Sequence, residues 1–123
     1  GKVMLDRGCG KIINISSTNA IDTYYPESCD YDASKAGVIS LTHNLAREFA
    51  PTILVNCVCP GWVKTDMNKD LSIEQIQEEE RKILLHRFAD ADEIAKVVVF
   101  LASSKASYVN DSIIRVDGGK WNG

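Results

Sequence analysis

The sequence predicts an α/β fold: a parallel sheet of about three strands with flanking helices. Three observations carry that prediction. Short β-branched runs alternate with segments of helical periodicity, the pattern of strand–helix–strand units. The runs at 11–16, 53–59 and 112–116 are near-continuously apolar, as strands covered on both faces are. Turn-forming residues follow each: Ser-Ser-Thr-Asn, then Pro60-Gly61, then Asp117-Gly118-Gly119.

Taken in order, residues 2–7 read as the last turns of a helix stopped by Gly8 and Gly10. Lys11 to Ser16 is the first strand, and residues 18–29, with Asn, Asp, Pro and Ser around Tyr24 and Tyr25, form a loop. From Asp30 to Ala50 the apolar positions Val38, Leu41, Leu45 and Phe49 recur at helical spacing, with Ser28 or Asp30 to cap the helix and Pro51 to end it. Ile53 to Cys59 is the second strand and Lys64 to Leu71 a polar connection. Ser72 to His86 has the charge density of an exposed helix, with Ser72 and Gln75 spaced as a capping box. Asp90 to Ser103 is a further helix with the apolar face Ile94, Val97, Val98 and Leu101, and Ser112 to Val116 is the last strand. A sheet this small has open edges. The outer edge of the strand at 11–16 reads as an aggregation site.

Length and composition narrow the function. The 123 residues suffice for one domain, and 45% hydrophobic with 25% charged residues is ordinary for a globular protein. A net charge of −3 argues against nucleic acid or an anionic membrane as main partner. No apolar run approaches the ~18 residues of a membrane span, and residues 1–20 do not read as a signal peptide, so the expected compartment is the cytoplasm. Cys9, Cys29, Cys57 and Cys59 lack zinc-site spacing, and no metal is expected. Cys57 and Cys59 alternate along a strand and read as buried small hydrophobes, while His43 and His86 are isolated.

The chemistry centres on Tyr31-Asp32-Ala33-Ser34-Lys35. On a helix, residues four apart share a face about one turn apart, which brings the Lys35 ammonium to the Tyr31 phenol. A positive charge beside a phenol favours the ionised form, and moving such a group from ~10 to about 7 takes roughly 4 kcal/mol. A phenol so tuned exchanges a proton with a carbonyl or alcohol oxygen at neutral pH. Alone, the pair reads better as a surface Tyr and Lys spaced along a helix.

Its neighbours change that reading. Ile12-Ile13-Asn14-Ile15-Ser16-Ser17, then Tyr31 to Gly37, then Val55-Asn56-Cys57-Val58-Cys59-Pro60-Gly61-Trp62-Val63-Lys64-Thr65, and finally Val116-Asp117-Gly118-Gly119 form an ordered series. The chain resembles the C-terminal half of a short-chain dehydrogenase/reductase, in the branch holding the beta-ketoacyl-acyl-carrier-protein reductases and related sugar or alcohol dehydrogenases. The likeness runs from about Gly10 to Gly119.

That resemblance implies the C-terminal part of a doubly wound Rossmann-type sheet, a single partial domain over residues 1–123, with the N-terminal dinucleotide-binding half missing. It implies hydride exchange between NAD or NADP and a carbonyl or secondary alcohol, with an acyl-carrier-protein-bound substrate one candidate. Tyr31 would be the general acid/base and Lys35 the group that tunes it and holds the nicotinamide ribose. Ser17 would position the substrate oxygen, with Ser16 the alternative. Pro60, Gly61, Val63 and Thr65, with Tyr31 and Lys35, would bind the cofactor. Residues 66–88 would be the substrate lid. Its charges read as a solvated face, and Met67, Ile76, Ile83 and Leu84 as the face that closes, with Trp62 and Tyr25 as pocket walls or ordinary packing. The helix at 30–50 and the last strand resemble surfaces that form homodimers and homotetramers. The glycine-rich turn, the residue that selects NAD or NADP and the Asn of the catalytic tetrad have no match in this sequence, and the Ser17–Tyr31 segment is somewhat long for the family. This chain alone is therefore expected to be inactive. The competing reading is a non-catalytic module that retains only association surfaces.

Overall fold

A computed structural model describes residues 1–23 and 25–120, without the side chain of Met67. Tyr24, the tail 121–123 and the expected place of Met67 on the closing face lie outside the described residues. Helix α1 (Lys2–Arg7) ends on Gly8, whose φ of 77° is the left-handed conformation that glycine adopts without a Cβ clash. Strands β1 (Gly10–Ile15), β2 (Ile53–Pro60) and β3 (Ile113–Val116) form one parallel sheet in the order β1-β2-β3. Ile15 pairs with Val58 and Val58 with Ile114.

β2 is the centre. Val55 through Cys59 are all buried, because helices cover both faces. Ile53 and Val55 pack with Ala46, Leu45 and Phe49 of helix α2 (Cys29–Phe49) and with Met4 of α1. Val58, on the other face, packs with Leu101, Ile94, Val97 and Val98 of helix α4 (Ala91–Ala102). Ile12 and Ile13 of β1 divide between the same two clusters. Cys57 and Cys59 are both fully buried, and the hydrogen bond that Cys59 gives to Cys57, together with burial, pushes the Cys59 thiol up.

The stripe expected on α2 needs correction. Leu41 is 50% exposed, and the buried centre of the helix is Thr42 and Ala46. Small side chains let the helix lie close to the sheet. Thr42 Oγ1 takes a hydrogen bond from Asn14 Nδ2 at 3.0 Å and donates to the Val38 carbonyl at 2.9 Å, so its polar atom is satisfied inside the core. Ser28 stands at the N-cap but makes no cap bond; its hydroxyl donates to the Tyr25 carbonyl. Asp30 and Asp32 in the first turn complement the helix dipole. His43 is satisfied by Asp111, which lies 2.5 Å from its Nδ1.

Helix α3 (Ile73–Arg81) has both bonds of the Ser72–Gln75 capping box but stops at Arg81, short of the expected His86. The Leu84 and Leu85 N–H groups donate to the Gly119 and Gly118 carbonyls, drawing the backbone out of the helix. The polar connection before α3 contains a 3-10 turn, Asp66–Asp70. Helix α4 starts on a capping box of Asp90 and Glu93, and Arg87 grips Glu93 with two bonds of 2.7 and 2.8 Å. No helix among the described residues is long and apolar enough to cross a membrane.

Two measurements follow from these contacts. The bonds from Arg87, then from the Asp90 N–H, lower the Glu93 carboxyl to about 2 from 4.5. A depressed carboxylate stabilises the fold above its unfolded pKa, and that contribution fades as pH falls from about 4.5 through about 2. An NMR titration should find the Glu93 midpoint near 2 and should see it rise toward the ordinary glutamate value in Arg87→Gln. Among the described residues β1 pairs only with β2, and Ile15 at its end is 43% exposed. Ile15→Lys should lower light scattering of concentrated protein several-fold, since charge on an edge strand opposes further pairing.

Candidate active site

β1 ends beside β2, with the Ser16 N–H donating to the Val58 carbonyl at 2.8 Å. The next two hydroxyls then part. Ser16 is 3% exposed, and its Oγ donates to the Lys35 carbonyl at 2.7 Å, fastening α2 to the end of the strand. Ser17, in extended conformation, presents its side chain to a cleft and accepts the Asn19 N–H at 3.2 Å. Of the two serines, only Ser17 lines the cleft.

α2 brings Tyr31 to the same cleft, 46% exposed. One turn on, the Lys35 Nζ lies over the Tyr31 ring, 5.6 Å from its centroid, and 3.4 Å from the Ile15 carbonyl. The ammonium is thus held at the carboxyl end of β1. Asp32 takes bonds from Asn19 Nδ2 and Ser28 Oγ, joining the loop after β1 to the first turn of α2. Two 3-10 turns, Thr18–Ala20 and Pro26–Ser28, order that loop.

The cleft, about 810 Å³, opens where ligands bind in parallel α/β sheets, beyond the carboxyl ends of the strands. Gly61 and Trp62 from the loop after β2, and Asp117 after β3, form its far side. A Cβ on Gly61 would come within 2.7 Å of Asp117 Cβ, so glycine is required here by the protein's own packing. Trp62 stacks on Phe88 with ring centroids 5.2 Å apart. Val63 forms a parallel bridge with Ala89, and its own N–H bonds to nothing among the described residues. Pro60, Val63 and Thr65 lie along the strand end and the loop leading from it, not on the cleft wall, and Thr65 is exposed. The structure therefore gathers Ser17, Tyr31, Lys35 and Gly61, and strings the other three beside them.

The remaining wall comes from α3 and the residues around it. Tyr25 and Trp62 both line the cleft. Ile83 lines it and is buried, with Leu71 beside it, whereas Ile76 and Leu84 do not and Leu84 is 49% exposed. Of the described side chains in the closing face expected from sequence, Ile83 is on that wall and Ile76 and Leu84 are not.

Residues 1–120 match the protein family described as enoyl-(acyl carrier protein) reductase. The chain belongs to the short-chain dehydrogenase/reductase family. The 3-oxoacyl-[acyl-carrier-protein] reductase FabG of Aquifex aeolicus is 43% identical over 119 residues, 96% of this chain and 48% of that protein. The 3-oxoacyl-[acyl-carrier protein] reductase of Brucella melitensis superposes with a TM-score of 0.91 at 31% identity, covering 99% of this chain and 46% of that one. A gluconate 5-dehydrogenase from Burkholderia cenocepacia, solved with NADP and tartrate, gives 0.89 at 31% identity, covering 96% and 47%. The chain spans about half the length of the curated relatives it matches.

Within this short-chain dehydrogenase/reductase fold, two cleft features escape the sequence. Arg115 bonds Asp22 at 2.8 Å and Asp117 at 2.8 Å, and its hydrogen bond holds the Asp22 carboxyl below the usual range. Glu79 is not part of a solvated face: it accepts bonds from Tyr25 and Trp62. The contacts of Arg115 with Asp22 and of Glu79 with Tyr25 and Trp62 have no local signal, because those partners are far apart in sequence. The packing at Gly61 gives a direct check. Gly61→Ala should destabilise the chain by about 1–3 kcal/mol in urea unfolding, the usual range for overpacking.

Proposed function

We propose that this chain carries the catalytic part of an NAD(P)-dependent oxidoreductase that exchanges hydride with a carbonyl or secondary alcohol, a 3-oxoacyl group on acyl-carrier protein being one candidate substrate. The observation that carries the reading is the convergence of the Ser17 hydroxyl and Tyr31 on one cleft, with the Lys35 ammonium over the Tyr31 ring. Hydride arrival at a carbonyl carbon leaves charge on oxygen, and a donor must already be placed there. Tyr31 gives or takes that proton, Ser17 holds the oxygen, and Lys35 supplies the fixed positive charge.

The donors present suit a nicotinamide ribose and its amide: an ammonium, a phenol and, two residues after Gly61, the N–H of Val63, which has no bond among the described residues. NAD or NADP would be held by Tyr31, Lys35, Pro60, Gly61, Val63 and Thr65, and when bound it supplies or accepts the hydride. The gluconate 5-dehydrogenase that this chain resembles was solved with NADP, which supports that class of cofactor. Residues 66–88 act as the lid. Association through the outer face of α2, where Leu41 is half exposed, and through β3 would give a homodimer or homotetramer.

In the complete gene product, Tyr31→Phe should cut turnover by about 10²–10⁴-fold, the range for losing a general acid, with oligomer size unchanged. Undiminished turnover would overturn the assignment and favour the non-catalytic module. Residues 1–123 alone should turn over neither NADH nor NADPH, and consumption of either by the purified chain would refute that.

A further inference from the structure

Three segments distant in sequence meet at one oxygen. Tyr25 Oη, from the loop before α2, donates to Glu79 Oε2 at 3.3 Å. Trp62 Nε1, from the loop after β2, donates to the same Oε2, also at 3.3 Å. The other oxygen, Oε1, lies 3.5 Å from Lys82 Nζ on α3's own C-terminal side. The Glu79 side chain is 20% exposed, the least of the four salt-bridged side chains at this end of α3: Glu78 and Lys82 are each 56% and Arg81 72%. A glutamate on an otherwise solvated helix has been turned inward. Both aromatic rings line the cleft, and so does Glu79.

The arrangement has a consequence for the cleft wall. None of the α3 residues from Ile73 to Arg81 is fully buried, and Ile76 is the one apolar side chain of the helix that is even half-buried. A short helix with so little covered apolar face gains little from packing. Trp62 is already fixed from behind by its stack on Phe88, and Tyr25 by its place ahead of the α2 start. The carboxylate therefore joins a weakly packed helix to two fixed rings.

We propose that Glu79 is the latch of this cleft, a positioning residue whose single acceptor oxygen holds α3 against Tyr25 and Trp62 and so sets how often the cleft opens. The inference rests on reading the cleft as the substrate site, with residues 66–88 as its lid. Burial and the Glu79 carboxylate both push the Tyr25 hydroxyl above its usual pKa, so it remains a donor across the neutral range. Entry of a substrate requires one or both bonds to break. Their re-formation closes the wall and fixes both rings around whatever has entered.

Amide hydrogen exchange on the full 123-residue chain tests this without any substrate, so latch and enzyme reading can fail separately. Glu79→Ala should speed exchange across α3 about tenfold, equivalent to about 1.4 kcal/mol, while the amides of β2 keep their protection. Glu79→Gln retains an oxygen able to accept both bonds and should stay near the parent rate. Tyr25→Phe removes one donor and should speed α3 about threefold, again with β2 unmoved. Unchanged α3 exchange in Glu79→Ala overturns the latch, as does equal acceleration in Glu79→Gln. Should Glu79→Ala loosen β2 as well, Tyr25→Phe decides: no acceleration of α3 there also overturns it.

Discussion

The hydrogen bond from Ser16 Oγ to the Lys35 carbonyl is the contact on which the cleft depends. It joins the residue after β1 to the second turn of α2, the longest helix among the described residues. A carbonyl inside a helix already accepts from the N–H four residues on, and its second lone pair is free to take a hydroxyl. Such a bond is made only if the helix lies very close to the strand end. Thr42 and Ala46 supply that closeness further along α2, since neither has a large side chain to hold the backbones apart. With α2 seated this way, Tyr31 and Lys35 project over the end of β1 instead of into solvent beside it.

The opposite side of the cleft is built from backbone that tolerates no side chain. Gly118 and Gly119 have φ of 71° and 86°, and a Cβ on either would come within 2.8 Å of Ile83 or 2.7 Å of Leu84. Asp117 binds the Gly119 N–H with one oxygen and Arg115 with the other, so the turn after β3 is fixed at both ends. That turn then receives the backbone of Leu84 and Leu85, which is why α3 ends where it does. The cleft wall and the helix boundary have one cause.

What was legible in the sequence follows from the range of the interactions. Strands, the Gly8 stop and the capping box at Ser72 are decided by neighbours a few residues apart, and the residues themselves announce them. The expected stripe of α2 holds at Leu45 and Phe49 but fails at Leu41, which carries much hydropathy and faces outward, whereas the buried Thr42 and Ala46 carry little. The end of α3 was misplaced because its terminator, Gly118-Gly119, lies more than thirty residues away. The sequence ranks Ser17 over Ser16 only by the alternation of side chains at a strand end, because the contact that turns Ser16 from the cleft is made by Lys35 on another element. Glu79 and Arg115 look like ordinary surface charges until the fold gives them partners.

The separation of Ser16 from Ser17 also ties the stability of an edge strand to the chemistry proposed for the cleft. Side chains alternate along a strand, so a slip of one residue in β1 would turn Ser17 toward α2 and Ser16 toward the cleft. Hydrophobic pattern alone resists such a slip poorly, because Ile12 and Ile13 are apolar on both faces. Directional polar contacts resist it better. Asn14 reaches Thr42 on one helix, and the Lys11 ammonium reaches the Ala102 and Ser103 carbonyls at the C-terminal end of α4, where a cation also complements the dipole. Each of these bonds exists in only one register. β1, which among the described residues pairs on one side only, is thereby fixed by three polar ties to the helices above and below it, and the hydroxyl that faces the cleft is chosen by them.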